Sequence, residues 1–171
     1  MKHLKTESQI SGEIERVVDS FIDDIYEYDD DIPSLHIIVV MDSAFMFASD
    51  VVRRLWDNRA MDIEMHFLMK NEEPPEEFVK NNHVLVIEDI VDSGETLGIL
   101  SEKLKSMCPK SISTMVVVNR IGKRDEKWEH TNPSYSCFEL SELGWVVGYG
   151  MDLKGKHREQ PFLCIEEEEV E

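Results

Sequence analysis

Long apolar runs, cysteine and basic residues are all in short supply in this sequence, and each shortage excludes something. No stretch approaches the ~18–20 consecutive apolar residues that a membrane-spanning helix needs. The start, Met1-Lys2-His3-Leu4-Lys5, has no apolar run behind it of the kind a secretory leader carries. No membrane partner is expected, and the expected compartment is the cytoplasm. The three cysteines, Cys108, Cys137 and Cys164, are odd in number, far apart and never spaced as metal ligands. They are expected as reduced thiols and not as a disulfide framework. Lys and Arg total 18 against 36 Asp and Glu, a net charge of −18. A surface this acidic repels phosphate backbones, which argues against nucleic acid as a partner. It also repels small polyphosphates, so binding one would require a divalent cation, backbone N–H groups and a few placed Lys or Arg. The chain has no G-x-x-x-x-G-K-S/T phosphate loop. Asp29-Asp30-Asp31 lacks the glycine and distal glutamate of a calcium loop and reads as a polar turn. The tail from Glu166 to Glu171 reads as a solvated end.

What is present fits one globular domain over residues 1–171, with 42% hydrophobic and 32% charged residues. Ile10, Ile14, Val17, Val18, Phe21, Ile22 and Ile25 recur at three-to-four spacing and predict a helix over 8–28, opened near Ser11 with Glu13 and Glu15. Leu35–Met41 is short, apolar and rich in β-branched residues, as a strand buried on both faces would be. Ala44–Trp56 predicts a helix with Phe45, Phe47, Ala48, Val51, Val52 and Leu55 inward. Further strands are expected at Asp62–Met69, Val84–Ile87, Thr114–Val118, Ser136–Leu140 and Trp145–Gly148. A helix is expected over Thr96–Met107, stopped by Pro109. Strands alternating with helices predict an α/β fold with a mostly parallel sheet flanked by helices.

The chemistry concentrates in Val84-Leu85-Val86-Ile87-Glu88-Asp89-Ile90-Val91-Asp92-Ser93-Gly94-Glu95-Thr96. Apolar residues give way to two adjacent carboxylates, then a third, then a turn of small residues that opens a helix. In open α/β sheets ligands bind at the carboxyl ends of strands, where these acids fall. The turn offers backbone N–H groups, two hydroxyls and a helix N-terminus to an anion. Carboxylates suit sugar hydroxyls or magnesium, so the segment describes a phosphorylated sugar held by its diol and its phosphate. Helix capping by Asp92 or Ser93 would account for one acid and one hydroxyl, and not for Glu88 and Asp89.

This segment, VLVIEDIVDSGETL, resembles the phosphoribosyl-diphosphate signature of type I phosphoribosyltransferases, particularly the hypoxanthine-guanine (6-oxopurine) branch. The resemblance implies the fold of that family, with a small hood over the sheet, and a transferase of purine salvage that uses Mg2+, phosphoribosyl diphosphate and a purine base. It assigns Glu88 and Asp89 to the ribose hydroxyls and metal, Asp92 to the general base, and Ser93, Gly94, Glu95 and Thr96 to the 5′-phosphate. Met41-Asp42-Ser43 with the following Ala44–Leu55 resembles the diphosphate loop and its helix, which assigns Asp42 and Ser43 to the diphosphate. Trp145–Asp152 resembles the purine-binding end: Trp145 would stack on the base, Val146 would meet its edge, Asp152 would approach magnesium and Arg158 would reach the leaving diphosphate. Family members commonly form dimers or tetramers.

Four positions depart from the pattern. Glu95 stands where a lysine is frequent. Asp42-Ser43 replaces (Lys or Asn)-Gly, and serine is strained wherever glycine's freedom in φ was in use. The family's long lid carries a Ser-Tyr pair, and the corresponding stretch here, Lys70–Asn82, is short and has none. Asn119 stands where a lysine reads the exocyclic oxygen of the base; its amide can donate to an oxygen or accept from an amine. Two other functions therefore stay open at this point: a phosphoribosyltransferase for a different base, and a non-catalytic phosphoribosyl-diphosphate or nucleotide-binding protein of the same fold.

Overall fold

Runs of β-branched residues set the centre of the molecule. The computed structural model describes residues 1–29, 32, 34–57, 61–69, 72–141 and 144–166. In chain order these form β1 (Lys2–Lys5), α1 (Glu7–Tyr28), β2 (Ser34–Val40), α2 (Phe45–Asp57), β3 (Asp62–Leu68), α3 (Glu76–Val79), β4 (His83–Val91) and α4 (Glu95–Ser106). There follow β5 (Ser111–Arg120), a 3-10 turn at Glu126–Trp128, β6 (Tyr135–Leu140), β7 (Trp145–Val147) and β8 (Leu163–Glu166). Asp30 and Asp31 of the acidic turn, Lys70, and residues 167–171 of the tail lie outside the described residues.

β3-β2-β4-β5-β6 make a five-stranded sheet in which every neighbouring pair is parallel. Its two faces are covered differently. α1 and α2 bury Val17, Phe21, Phe47 and Val51 against Ile37, Val39, Leu85 and Ile87. α4 buries Leu97, Leu100 and Leu104 against Ile38, Val84, Val86 and Val116 on the other face. The alternation along β4 is the period-two pattern that sends successive side chains to opposite faces. Six buried apolar side chains on α1 contribute of order 10 kcal/mol gross, most of it offset by ordering entropy.

β1, β8 and β7 form a separate antiparallel sheet, the expected hood. β1 and β8 were not expected: Lys-His-Leu-Lys carries a single apolar residue, so nothing in its pattern marks a strand. Other boundaries shift for local reasons. α1 begins at Glu7 because Thr6 caps it: Gln9 N donates to Thr6 Oγ1 and Thr6 N donates to Gln9 Oε1, a reciprocal capping box. In α2, Phe45 is exposed and Val52 half-buried, while Phe47, Ala48, Val51 and Leu55 face inward as expected. All three cysteines are free thiols. Among the described residues no helix is long and apolar enough to cross a membrane.

The strand order itself marks a site. From β2 the chain crosses through α2 to β3 at one edge, and from β4 it crosses through α4 to β5 in the opposite direction. A crevice opens where connections diverge, at the carboxyl ends of β2 and β4. The loop Met41–Ala44 and the turn Asp92–Gly94 lie at this point.

Candidate active site

The acids of β4 lie inside the strand, not beyond its end. Ile90 and Val91 continue the ladder, paired with Val118 and Asn119 of β5, so the strand outruns the expected Val84–Ile87. Glu88 and Asp89 are consequently buried. Burial, reinforced by the neighbouring charge of Asp89, pushes the Glu88 carboxyl up to about 8. Burial also raises Asp89, against the pull of a hydrogen bond from Ser43, backbone N–H groups at Ile90 and Asp89, and the positive charge of Arg158.

After Asp92 the chain turns through Gly94, whose φ of +84° is left-handed and suits glycine. Gly94 is the N-cap of α4 and supplies no side-chain cap, so the first turn of the helix is not closed by its own cap residue. Ser93 Oγ accepts from Glu95 N at 3.3 Å. The turn is locked from behind by Arg124. Its Nη1 donates to the carbonyls of Val91 (3.0 Å), Asp92 (2.7 Å) and Arg120 (3.1 Å), and its Nε to that of Thr131 (2.8 Å). Arg124 Nη2 also donates to Asn119 Oδ1. Asp92 Oδ1 is a buried atom with no hydrogen-bond partner among the described residues, 3.6 Å from Arg120 Nε.

The hood closes the other side. Trp145 is exposed, and its Nε1 donates to the Asp152 carbonyl at 2.6 Å. Both Asp152 carboxylate oxygens are engaged, one by Arg158 Nη2 at 2.9 Å and the other by Gly155 N at 2.6 Å. Arg158 Nη1 donates to the Gly150 carbonyl at 2.7 Å. Gly150 has φ +98°, and a Cβ there would overlap the Ser43 carbonyl oxygen, so only glycine lets the hood backbone seat on the Ser43 loop. Ser43 itself does not have a positive φ, and the strain expected from its replacing glycine is absent.

These pieces enclose a cleft of about 470 Å³ lined by Ser43, Glu88, Asp89, the whole turn Asp92–Thr96, Trp145 and Asp152, with Ile90 and Met151 among its apolar walls. Four expected site residues do not line it. Asp42 is exposed on the loop. Val146 is buried and paired with Ile165 in the hood sheet. Arg158 stands behind Asp152. Asn119 lines a separate cleft of about 660 Å³ with Arg120 and Arg124. No group of three His, Cys, Asp or Glu side chains among the described residues forms a ready metal cage. Glu88 and Asp89, two buried carboxylates raised by burial, nevertheless fit a hard divalent cation that brings its remaining oxygen ligands with it.

The comparison with known proteins settles the family. Residues 7–154 match the phosphoribosyl transferase domain. The chain belongs to the phosphoribosyltransferase family. Among similar members is the hypoxanthine-guanine phosphoribosyltransferase of Crithidia fasciculata, 27% identical over 95% of this chain and 83% of that one. The structure of the Trypanosoma cruzi hypoxanthine phosphoribosyltransferase superposes with a TM-score of 0.84 at 26% identity, covering 96% of this chain and 95% of that one. That of the Leishmania tarentolae HGPRT-ase in complex with GMP gives 0.85 at 25% identity, covering 98% and 97%. These likenesses give the chain the fold and enzyme class of a phosphoribosyltransferase, with similar members among the hypoxanthine-guanine enzymes.

The strap between β3 and β4 is fastened at its start. Glu72 Oε2 accepts from Met69 N at 3.0 Å, and Glu73 pairs with Lys103 of α4 at 2.6 Å. Lys103 and Arg124 were both overlooked in the sequence. Lys103 had a signal, since Thr96, Ile99 or Leu100, and Lys103 fall on one face of α4 below the turn. Arg124 had none, because a loop arginine carries no periodicity.

Proposed function

We propose that this phosphoribosyltransferase moves the 5-phosphoribosyl group from phosphoribosyl diphosphate to a 6-oxopurine, hypoxanthine or guanine, with release of diphosphate. The observation that carries the reading is the meeting, in one cleft, of a helix-opening turn, a buried carboxylate pair and an exposed indole at the sheet's switch point. The turn Ser93–Thr96 takes the 5′-phosphate through its backbone N–H groups. Glu88 and Asp89 accept from the ribose diol, and Trp145 stacks on the purine.

In the reaction a purine ring nitrogen attacks C1′, the C1′–oxygen bond to diphosphate breaks, and a proton of the purine ring passes to Asp92. Asp92 suits this role because its side chain lines the cleft and is half exposed there, while Arg120 holds its buried oxygen. Positive charge builds on the ribose as the bond breaks, and the carboxylates beneath it stabilise that charge. Magnesium held by Glu88, Asp89 and the substrate's own oxygens would neutralise the leaving group. Asp152 contributes to that side once Arg158 turns to the diphosphate.

The preference for a 6-oxopurine is carried by the likeness to hypoxanthine-guanine phosphoribosyltransferases. A guanidinium has no acceptor, so the Asn119 atom facing Arg124 is the amide oxygen, which leaves the amide N–H groups to donate to an exocyclic oxygen of a base that reaches the cleft Asn119 lines. The test is diphosphate release from phosphoribosyl diphosphate and Mg2+ with hypoxanthine, guanine, xanthine and adenine in separate reactions. Release with hypoxanthine or guanine, abolished by EDTA, is expected. Binding of phosphoribosyl diphosphate with no release for any base would show a binding protein instead, and release with adenine alone would overturn the assignment of Asn119.

A further inference from the structure

The cleft continues into a second lobe. It shares Ser43, Glu88, Asp89, Glu95 and Thr96 with the first and runs away from Trp145, between the Met41–Ser43 loop, the end of β3 and the exposed side of α4. This lobe also measures about 470 Å³. Displacement at C1′ brings the nucleophile and the leaving group to opposite sides of the ribose. If the base occupies the Trp145 lobe, as proposed above, the diphosphate is directed into this second one.

The electrostatics of that lobe are unfavourable for a polyanion. Its acidic lining is Glu72, Glu88, Asp89 and Glu95, set against one lysine or arginine among the described residues, Lys103. Asp42 adds a further negative charge on the adjoining loop. Lys103 stands one helical face below Thr96, two turns into α4. Its Nζ is held 2.6 Å from Glu73 Oε1 on the strap, with 37% of the lysine and 58% of the glutamate side chain exposed. An exposed pair of this kind holds weakly. A ligand with several negative charges outcompetes it.

We propose that Lys103 is a second diphosphate-binding cation of this protein beside Arg158, parked on Glu73 in the free state and transferred to the diphosphate when substrate binds. The positive charge that the loop after β2 lacks at Asp42 is supplied from α4, and Glu73 keeps the lysine at the mouth of the lobe. The proposal rests on the phosphoribosyltransferase reading for the direction of the leaving group.

The experiment compares wild type, Lys103→Met, Lys103→Arg and Glu73→Gln by calorimetry with two probes, magnesium diphosphate and GMP, and by KM for phosphoribosyl diphosphate. GMP fills the base and 5′-phosphate positions and leaves the second lobe empty. Lys103→Met is expected to weaken magnesium diphosphate and raise KM for phosphoribosyl diphosphate, each about tenfold, the loss of one hydrogen bond to a charged group. GMP affinity should stay within about twofold, Lys103→Arg should recover most of the loss, and Glu73→Gln should tighten diphosphate by releasing its competitor. Equal losses for diphosphate and GMP would show a merely structural lysine and overturn the proposal, as would unchanged diphosphate binding in Lys103→Met. If wild type binds neither probe, the functional reading fails as well; if it binds both and Lys103→Met matches it, only the role of Lys103 fails.

Discussion

On the β4–β5 side of the cleft one guanidinium, Arg124, ties the carbonyls of Val91, Asp92, Arg120 and Thr131 and the amide of Asn119. On the β3–α3 side the strap is held by the Glu73–Lys103 pair and by Glu72 reaching back to the Met69 N–H. The first set is shielded and charge-assisted, and such bonds hold geometry. The second is exposed and weak. The difference assigns the two walls different work. On the proposed function, the wall that would position the base, the proton acceptor and the 5′-phosphate is the firmly fastened one. The wall that would pass the diphosphate is fastened weakly, as segments that gate product release generally are. This short strap, fastened to α4 by the exposed Glu73–Lys103 pair, lies where the resemblance implied a longer lid.

The sharpest way to break this comparison is to remove chemistry from the rigid wall without disturbing its shape. Asp92→Asn keeps the size of the side chain and the backbone carbonyl that Arg124 holds. We expect unchanged melting behaviour and a fall in kcat of about 10²–10⁴-fold, the usual worth of a general base. Near-normal turnover in that variant would remove Asp92 from the mechanism and leave Arg124 as a purely structural fastener.

A second test falls on Glu88, which both lobes share. Its carboxyl is pushed up to about 8 in the fold by burial, with Asp89 adding to the effect, whereas an exposed glutamate titrates near 4.3. Between those values the folded protein holds a proton that the unfolded chain has lost. Folding stability therefore falls as pH rises through that window and stays lower above it. Glu88→Gln removes the titration. The variant should match wild type at pH 5 and be the more stable at pH 9, by an amount that cannot exceed several kcal/mol at ~1.4 kcal/mol per pH unit. Urea melts at the two pH values read this directly, and parallel curves would mean that the carboxylate is solvated in solution. The cost that appears at high pH is the one a bound cation would offset, so magnesium with diphosphate should narrow the gap.

Much of this contrast could be read from the chain, but unevenly. Val84–Thr96 announces itself because apolar alternation, three acids and a small-residue turn are local features, and the parallel sheet follows from alternating β-branched and helical segments. The hood was legible only at Trp145–Gly148. Its other strands, Lys2–Lys5 and Leu163–Glu166, are short, and their pairing joins opposite ends of the chain. The same holds for the fasteners. Arg124 and Trp128 sit in a loop with no repeat, and their partners are backbone carbonyls and a glycine, which leave no mark in composition. The burial of Glu88 was also hidden, because it depends on Ile90 and Val91 extending the strand past the acids.

The seat beneath the rigid wall offers the last and smallest test. Trp128 is buried and lies flat against α4 at Gly98, where a Cβ would overlap its six-membered ring. The loop bearing it is joined to the phosphate turn, Asp125 N donating to the Ser93 carbonyl at 3.0 Å, and Thr131, whose carbonyl Arg124 holds, donates back to Trp128 O at 2.9 Å. Gly98→Ala would normally strengthen a helix by roughly 0.5–1 kcal/mol. Here the methyl displaces Trp128, and overpacking of this kind costs about 1–3 kcal/mol, so a net loss of stability is expected. Gly12→Ala in α1 is the control, since nothing lies within 4 Å of its Cβ position, and it should stabilise by the full helix-propensity gain. If the indole seat sets the rigid wall, Gly98→Ala should also lower kcat more than it raises KM for phosphoribosyl diphosphate, because the far walls of the diphosphate lobe, the Met41–Ser43 loop and the end of β3, belong to other elements. Equal effects on both constants would mean that the two walls move as one, and that the looseness of the strap is not confined to its own side.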